Sequence, residues 1–434
     1  MKYRSTRGAA PLVAVSRAIA LGLATDGGLY VPELWPTIDR SAAAADLTLP
    51  QLAAQVIEPF FAEDELAPEL GVIATEAFNF PLPLTALVNA QGPVAVLELF
   101  HGPTAAFKDF GARFLAACFA RLRPSAGRKL TILVATSGDT GGAVAAAFHR
   151  RPGIDVVVLF PRGRVARRQE QQLTCWGENV RALSVLGTFD DCQRLVKEAF
   201  VDPTLSEARE FSSANSINVG RLLPQTVYYA AASLSMRRRH DAQASFIIPA
   251  GNLGNTLACV WARKLGFPIG DIVLAHNANR TVPDYLASGE YRPRPTVATL
   301  ASAMDVGNPS NMERLQAFEP DWSRLRTQVS AWSVSDAEIR DQIRGDYARY
   351  QRIWCPHTAT AARVYDLLPE AQRVRGPWVI VATAHPAKFD TIVEPLIGRA
   401  VEVPAELASL LGLRSRSTEI GAQLAELRPL LMDS

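Results

Sequence analysis

The sequence predicts an α/β protein built on a mostly parallel sheet. Six short runs rich in Val, Ile and Leu recur along the chain, and continuous apolar runs mark strands buried on both faces. Each run leads into a turn and then a helical pattern, the alternation of βαβ units. Two of those turns are rich in glycine, which lets a backbone turn sharply and approach another group closely.

Taken in order, the first ninety or so residues stand apart. Proline punctuates them and no comparable apolar run occurs, so they read as a separate N-terminal segment. Strands are expected at Leu130–Ala135, Asp155–Phe160, Arg181–Leu186, Ser245–Ile248, Ile272–Ala275 and Trp378–Val381. Helices are expected at Ala106–Arg123, Gly141–Arg150, Asp190–Phe200, Leu222–Arg239 and Asn255–Lys264. Arg237-Arg238-Arg239-His240 reads as a solvated helix end, where cations suit the dipole. The charged tail after Arg399 has helical spacing and is expected on the surface.

The 434 residues suggest two or three domains at roughly 150 residues each. A hydrophobic share of 48% against 20% charged permits a large core and excludes global disorder. A net charge of +2 argues against a polybasic partner of nucleic acid or membrane. Five scattered cysteines without a CxxC pair point away from a disulfide framework and towards a reducing compartment, the cytoplasm. The six histidines show no metal-ligand spacing. The apolar stretch from Ala9 to Ala24 loosely mimics a signal peptide, but Arg17 interrupts it. Leu130 to Phe148 carries Asp139 and three glycines and reads as strand, loop and helix, not as a membrane span.

Two turns carry candidate chemistry. They are Thr136-Ser137-Gly138-Asp139-Thr140-Gly141-Gly142 and Gly251-Asn252-Leu253-Gly254-Asn255. Backbone N–H groups at a strand-to-helix turn favour an anion. Neither turn is a Walker or GxGxxG motif. One such turn is explained equally well by tight packing. Two in one chain suggest two anionic groups in one cleft at the carboxyl edge of a sheet.

Only six residues are lysine: 2, 108, 129, 197, 264 and 388. Four of them, Lys2, Lys129, Lys197 and Lys264, read as solvated, and Lys388 follows a buried strand. Lys108 is flanked by Phe107 and Phe110. Partial desolvation lowers an amine's pKa and frees it to attack a carbonyl; a snorkelling lysine on an amphipathic helix is the plainer alternative. A reactive lysine with a phosphate-cradling turn is the minimum equipment for pyridoxal phosphate.

His101-Gly102-Pro103-Thr104-Ala105-Ala106-Phe107-Lys108-Asp109-Phe110-Gly111 resembles the cofactor-lysine signature of the threonine synthase family. The segments Lys2–Gly8, Asp26–Pro32, Thr136–Gly141, Pro161–Gly163, Asn215–Asn218, Gly251–Asn255, Ala303–Val306 and Thr383–Phe389 match in order. The resemblance covers essentially the whole chain and is to the bacterial and fungal branch. It implies a fold-type II, tryptophan synthase β-like enzyme with two open αβα domains. The implied division is an N-terminal segment over 1–90, a smaller domain over 91–224 and a larger one over 225–434.

The resemblance also implies the reaction: O-phospho-L-homoserine and water give L-threonine and phosphate. It makes Lys108 the Schiff-base lysine and the acid/base. It gives Gly251, Asn252, Leu253, Gly254 and Asn255 to the cofactor's phosphate, and Thr383 to its ring nitrogen. Many relatives have Phe where Leu253 stands. Asp139 stands where many fold-type II enzymes place an Asn beside the phenolic oxygen. Ser137 and Thr140 are implied at the substrate's carboxylate or phosphate, and Asn215, Ser216 and Arg221 at its phosphate. A monomer is implied. Dehydratases for threonine or serine share the lysine and the glycine cup but usually lack the HGPT…FKDFG and TAHPAKF blocks present here. A threonine-synthase-like protein that binds a ligand without catalysing is the other alternative, against which Lys108, the cup and Arg221 are intact.

Overall fold

The computed structural model describes residues 1–38, 47–88, 90, 92–122 and 129–432. Fourteen strands fall among the described residues: β1 (Lys2–Ser5), β2 (Val13–Ala14), β3 (Tyr30–Pro32), β4 (Leu84–Ala86), β5 (Val94–Glu98), β6 (Leu130–Ala135), β7 (Ile154–Pro161), β8 (Val180–Val185), β9 (Glu210–Ser213), β10 (Ala244–Pro249), β11 (Ile269–His276), β12 (Ser330–Ser333), β13 (Trp378–Ala382) and β14 (Thr418–Ile420). They form three sheets. One is the order β14-β8-β7-β6-β9, parallel throughout. The second is β12-β11-β10-β13-β5-β4, parallel except for the edge strand β4. The third is a small antiparallel sheet, β2-β1-β3.

The central strands are apolar on both faces because both faces are covered. Along β6, Leu130, Ile132 and Val134 enter one core and Leu133 and Ala135 another. Along β13, Val379 and Val381 join the first core, whereas Trp378, Ile380 and Ala382 join a third. This is the period-two alternation of a strand read out into two hydrophobic layers. One core is therefore shared by the inner faces of both large sheets, and each outer face has a core of its own.

All six expected strands are present, lengthened or shifted by a residue or a few. Several elements differ from expectation. The N-terminal segment does contain strands, although short ones of two to four residues. It also shares the central core: Trp35 meets Trp261 edge-on at 5.2 Å and Phe61 meets Phe114 at 6.1 Å. The expected helix Leu222–Arg239 is two helices, Val219–Leu222 and Gln225–His240. Pro224 separates them, since it lacks the N–H a continuous helix needs. The expected helix Ala106–Arg123 runs over Lys108–Phe119, and Arg123 lies outside the described residues.

The sheets do not divide at residues 90 and 224. β4 and β5 pair into the sheet of β10 to β13, and β14 returns to the sheet of β6 to β9. The tail after Arg399 thus supplies an edge strand as well as the helices Ala405–Leu411 and Leu424–Met432. Among the described residues no helix is long and apolar enough to cross a membrane.

Candidate active site

The expected site residues follow the carboxyl ends of five strands from both large sheets. β5 leads to the turn His101–Thr104 and then to Lys108, β6 to Ser137–Thr140, and β9 to Asn215 and Ser216. β10 leads to Gly251–Asn255, and β13 to Thr383.

Lys108 opens the helix Lys108–Phe119. Its approach is fixed from both sides. Asp109 accepts hydrogen bonds from the Thr104 N–H (2.8 Å) and the Thr104 hydroxyl (2.7 Å). Gly102 lies so close beneath that a Cβ there would come within 2.5 Å of Asp109 Oδ2. On the other side Ala106 bridges Ala384, Phe107 N–H donates to the Thr383 carbonyl at 2.8 Å, and His385 N–H donates to the Ala105 carbonyl at 3.0 Å. The loop before Lys108 is therefore zipped to Thr383–His385, which puts Lys108 beside Thr383.

Lys108 keeps partial solvent access, with its Nζ 4.7 Å from the Phe107 ring centroid. Burial pushes its amine down to about 8; the Arg221 guanidinium and the Lys388 ammonium push the same way, and Asp139 opposes them. A weakened hold on its proton is what an amine nucleophile or proton carrier needs near neutral pH.

The turn after β6 is organised by Thr136. Its hydroxyl accepts from Gly138 N–H (3.0 Å) and Gly141 N–H (2.9 Å). Gly138 has φ of +142° and a Cβ there would strike Gln169, so glycine is required. Ser137 and Thr140 stay partly exposed on this turn, while Asp139 is buried. Burial would raise the Asp139 carboxyl, but the Lys388 ammonium and further partners outweigh it and hold it below its usual value.

The turn after β10 forms a cradle at the start of the helix Gly254–Lys264, with Leu253 left-handed at φ +62°. Asn252 Nδ2 donates to the Ser216 hydroxyl (2.6 Å), and Asn311 Nδ2 donates to the carbonyl of Asn252 (3.0 Å). Asn255 Oδ1 accepts from the hydroxyls of Tyr228 and Tyr229, whereas its Nδ2 is buried without a partner. Asn215 Nδ2 donates to the Ala135 carbonyl at 2.9 Å, tying the end of β9 to that of β6. Arg221 is buried, donates through Nη1 to the Ala214 carbonyl, and packs its Nε against Gly111 in the Lys108 helix. Its charge acts on the Lys108 amine.

Gly251 permits the closest approach in this cradle. A Cβ at Gly251 would stand 2.8 Å from Met304 Cα and 3.4 Å from the Ala303 carbonyl oxygen. Gly251→Ala must displace backbone, at about 1–3 kcal/mol. We expect cofactor affinity to fall by roughly ten- to a hundredfold as that strain enters the cup, read by equilibrium titration of the cofactor-free chain.

The comparisons with known proteins bear on this geometry. Residues 77–384 match the family described as pyridoxal-phosphate dependent enzyme. Residues 2–78 match the threonine synthase N terminus, and residues 358–430 the threonine synthase C-terminal family. The threonine synthase of Haemophilus influenzae is 38% identical over 424 residues, covering 97% of each chain. The chain belongs to the threonine synthase family. Among solved members, the Escherichia coli threonine synthase superposes with a TM-score of 0.91 at 35% identity, covering 100% of both chains. The pyridoxal-phosphate-bound threonine synthase of Brucella melitensis superposes with a TM-score of 0.90 at 34% identity, covering 100% of this chain and 99% of the other.

Several residues at this family site escape sequence reasoning. Lys388 is fully buried, its Nζ 2.6 Å from Asp139 Oδ1 and 2.8 Å from the Thr104 carbonyl oxygen. His357 is buried, accepts from Ala303 N–H at 3.1 Å and is pushed down to about 4, chiefly by burial. Arg314 is buried beneath Ser216 and Asn311. Lys388 alone carried a signal, as one of six lysines directly after a buried strand. His101 is held by Glu98 at 2.8 Å, and His385 accepts from Ala387 N–H, so both are engaged structurally.

Proposed function

We propose that this enzyme converts O-phospho-L-homoserine and water to L-threonine and phosphate, with pyridoxal phosphate as its cofactor. The observation that carries the reading is the position of Lys108. It is a partly desolvated amine after β5, in the field of the Asp139 carboxylate on the turn after β6 of the other sheet, and its own sheet carries the glycine-rich cradle after β10. The cradle suits the cofactor. It offers the N-terminal N–H groups of the helix Gly254–Lys264, a glycine that a side chain would block, and the buried, unpartnered Nδ2 of Asn255.

In this reading Gly251, Asn252, Leu253, Gly254 and Asn255 hold the cofactor's phosphate, Thr383 faces its ring nitrogen, and Asp139 stands near its phenolic oxygen. Bound there, pyridoxal phosphate supplies an electron sink for charge developing at the substrate's α-carbon. Ser137 and Thr140 orient the substrate's carboxylate or phosphate, and Asn215, Ser216 and Arg221 its phosphate. Lys108 Nζ removes the α-proton and then a β-proton, so that phosphate leaves from Cγ. It returns one proton at Cγ, water adds its hydroxyl at Cβ and gives its proton to the released phosphate, and the other proton returns to Cα. One mobile base serves both carbons because it starts the helix beside them. The leaving phosphate, held by those donors, could help direct the water.

A monomer in the cytoplasm fits this reading, supported by five buried, unpaired cysteines. Product analysis tests the reaction. Phosphohomoserine should yield equimolar threonine and phosphate, whereas added threonine should give no ammonia or 2-oxobutanoate. Oxo-acid formation from threonine without phosphate release from phosphohomoserine would establish a dehydratase instead.

A further inference from the structure

Two of the six lysines meet at this site, and only one has a role in the reaction proposed above. Lys388 lies in the turn Pro386–Phe389 after β13, wholly inaccessible to solvent. A lysine is rarely buried without a partner. Here Nζ contacts Asp139 Oδ1 at 2.6 Å and donates to the Thr104 carbonyl at 2.8 Å. Those partners come from different places: Asp139 starts the helix after β6 in the five-stranded sheet, and Thr104 lies on the approach to Lys108. One ammonium therefore ties together the ends of β13 and β6 and the loop that presents Lys108.

The surrounding bonds leave this pair little freedom. Gln169 Nε2 donates to the same Asp139 oxygen at 2.8 Å, and Gln172 Nε2 donates to the Thr104 carbonyl at 3.0 Å. Arg168, from the same helix Arg167–Thr174, donates to the Ala387 carbonyl (2.6 Å) and pairs with Asp390 at 3.2 Å. A neutral hydrogen-bonding pair could join the same elements, and a buried ion pair is no better than break-even for stability. What an ion pair adds is a fixed local field. The charged and titratable groups facing Lys108 are Arg221, Asp139, Lys388 and His357, with Asp109 next to it on its own helix. His357 is pushed down to about 4 and so stays neutral where Lys108 titrates.

We propose that Lys388 is a positioning residue for the reaction: by pairing with Asp139 it balances the charge felt by the Lys108 amine and locks the turns of both sheets around it. The proposal rests on the role given to Lys108 but not on the identity of the substrate. It predicts opposite effects from the two halves of the pair. Without Lys388, the unbalanced Asp139 carboxylate strengthens Lys108's hold on its proton. Without the Asp139 charge, the unbalanced Lys388 ammonium weakens it.

The test is competitive trace acetylation of the cofactor-free, full-length chain with acetic anhydride across a pH series. Peptide mass spectrometry follows Lys108 against the exposed Lys2, Lys129, Lys197 and Lys264 as internal references. Lys388→Met should raise the midpoint for Lys108 labelling by about one pH unit, Asp139→Asn should lower it by a similar amount, and the double variant should return near the wild-type midpoint. A lysine that merely fills space would shift both single variants in the same direction or neither, and either result overturns the proposal. Should Lys388→Met not fold, Asp139→Asn decides alone: a lowered midpoint supports the pairing, and an unchanged or raised one refutes it. Failure of phosphohomoserine as substrate would leave these midpoints untouched, so the two readings fail separately.

Discussion

Lys108→Ala is expected to abolish threonine formation while leaving the fold intact. Positioned proton transfer contributes about 10²–10⁴-fold to a rate, and Lys108 is proposed to perform more than one such transfer, so the loss should reach at least the upper end of that range. The fold should tolerate the change. Lys108 is partly solvent-exposed at the first position of its helix, where alanine is an excellent helix former. Among the described residues no hydrogen bond from its Nζ holds the loop; that is the work of Thr104, Asp109 and the Thr383 carbonyl. The visible absorption band of the lysine-bound cofactor should vanish, and the thermal unfolding midpoint should move little. Retained turnover in the variant would remove Lys108 from the chemistry. A variant that lost both activity and its unfolding transition would instead place Lys108 among the structural residues.

This separation between holding and reacting groups also explains what the sequence could disclose. β6, β7 and β13 are legible because strands covered on both faces are apolar at nearly every position, Thr131 and Asp155 being the exceptions. The edge strands are not: Glu210–Ser213, Ser330–Ser333 and Thr418–Ile420 are short, partly polar, and defined by the neighbour they pair with. β5 is wholly buried, yet it is a run of only five residues and ends on Glu98, within a stretch that otherwise reads as loop. Its place next to β13 decides that Lys108 meets Thr383, and strand order is a property of the whole chain.

The site divides in the same way. Gly138, Gly251 and Gly102 announce themselves because a Cβ at any of them would come within 2.8 Å of a neighbour: the Gln169 side chain, the Met304 backbone and the Asp109 side chain. His357 and Asn311 carry no local pattern, and Lys388 only its place after a buried strand; their partners lie 54, 95 and 249 residues away, at Ala303, Ser216 and Asp139. Arg221 was legible as a cation, but not the direction it takes, towards the helix that carries Lys108.

Arg314→Met should cost about 3–5 kcal/mol of stability and weaken cofactor binding with it. The guanidinium is fully buried and donates to four acceptors from three segments. These are the Tyr30 carbonyl at 3.1 Å, the Ser216 carbonyl at 3.2 Å, the Ile217 carbonyl at 2.6 Å, and Asn311 Oδ1 at 2.8 Å. Burial already disfavours its charge, pushing Arg314 down to about 9, with Glu313 and Tyr3 opposing. Replacing a whole buried charge network by apolar groups can be harmless, but removing one side leaves the other unpaired. Here the backbone acceptors remain, and each buried acceptor left without a donor costs about 1–3 kcal/mol. Not all four terms will add, because the segments relax together. The loss is still a large fraction of the about 5–15 kcal/mol that holds a typical domain.

The same change frees Asn311 and Ser216, two of the residues that hold Asn252 in the cradle beside Ser310. Denaturant unfolding with and without pyridoxal phosphate measures both effects. The exposed Arg7–Glu313 pair one residue away, with side chains 54% and 32% exposed, provides the contrast: Arg7→Ala should cost less than about 1 kcal/mol. Equal losses in the two variants would mean that Arg314 is one surface contact among many. A loss confined to Arg314→Met, with cofactor affinity falling alongside, would identify this arginine as the post on which the N-terminal segment, the β9 loop and the glycine-rich turn after β10 are jointly hung.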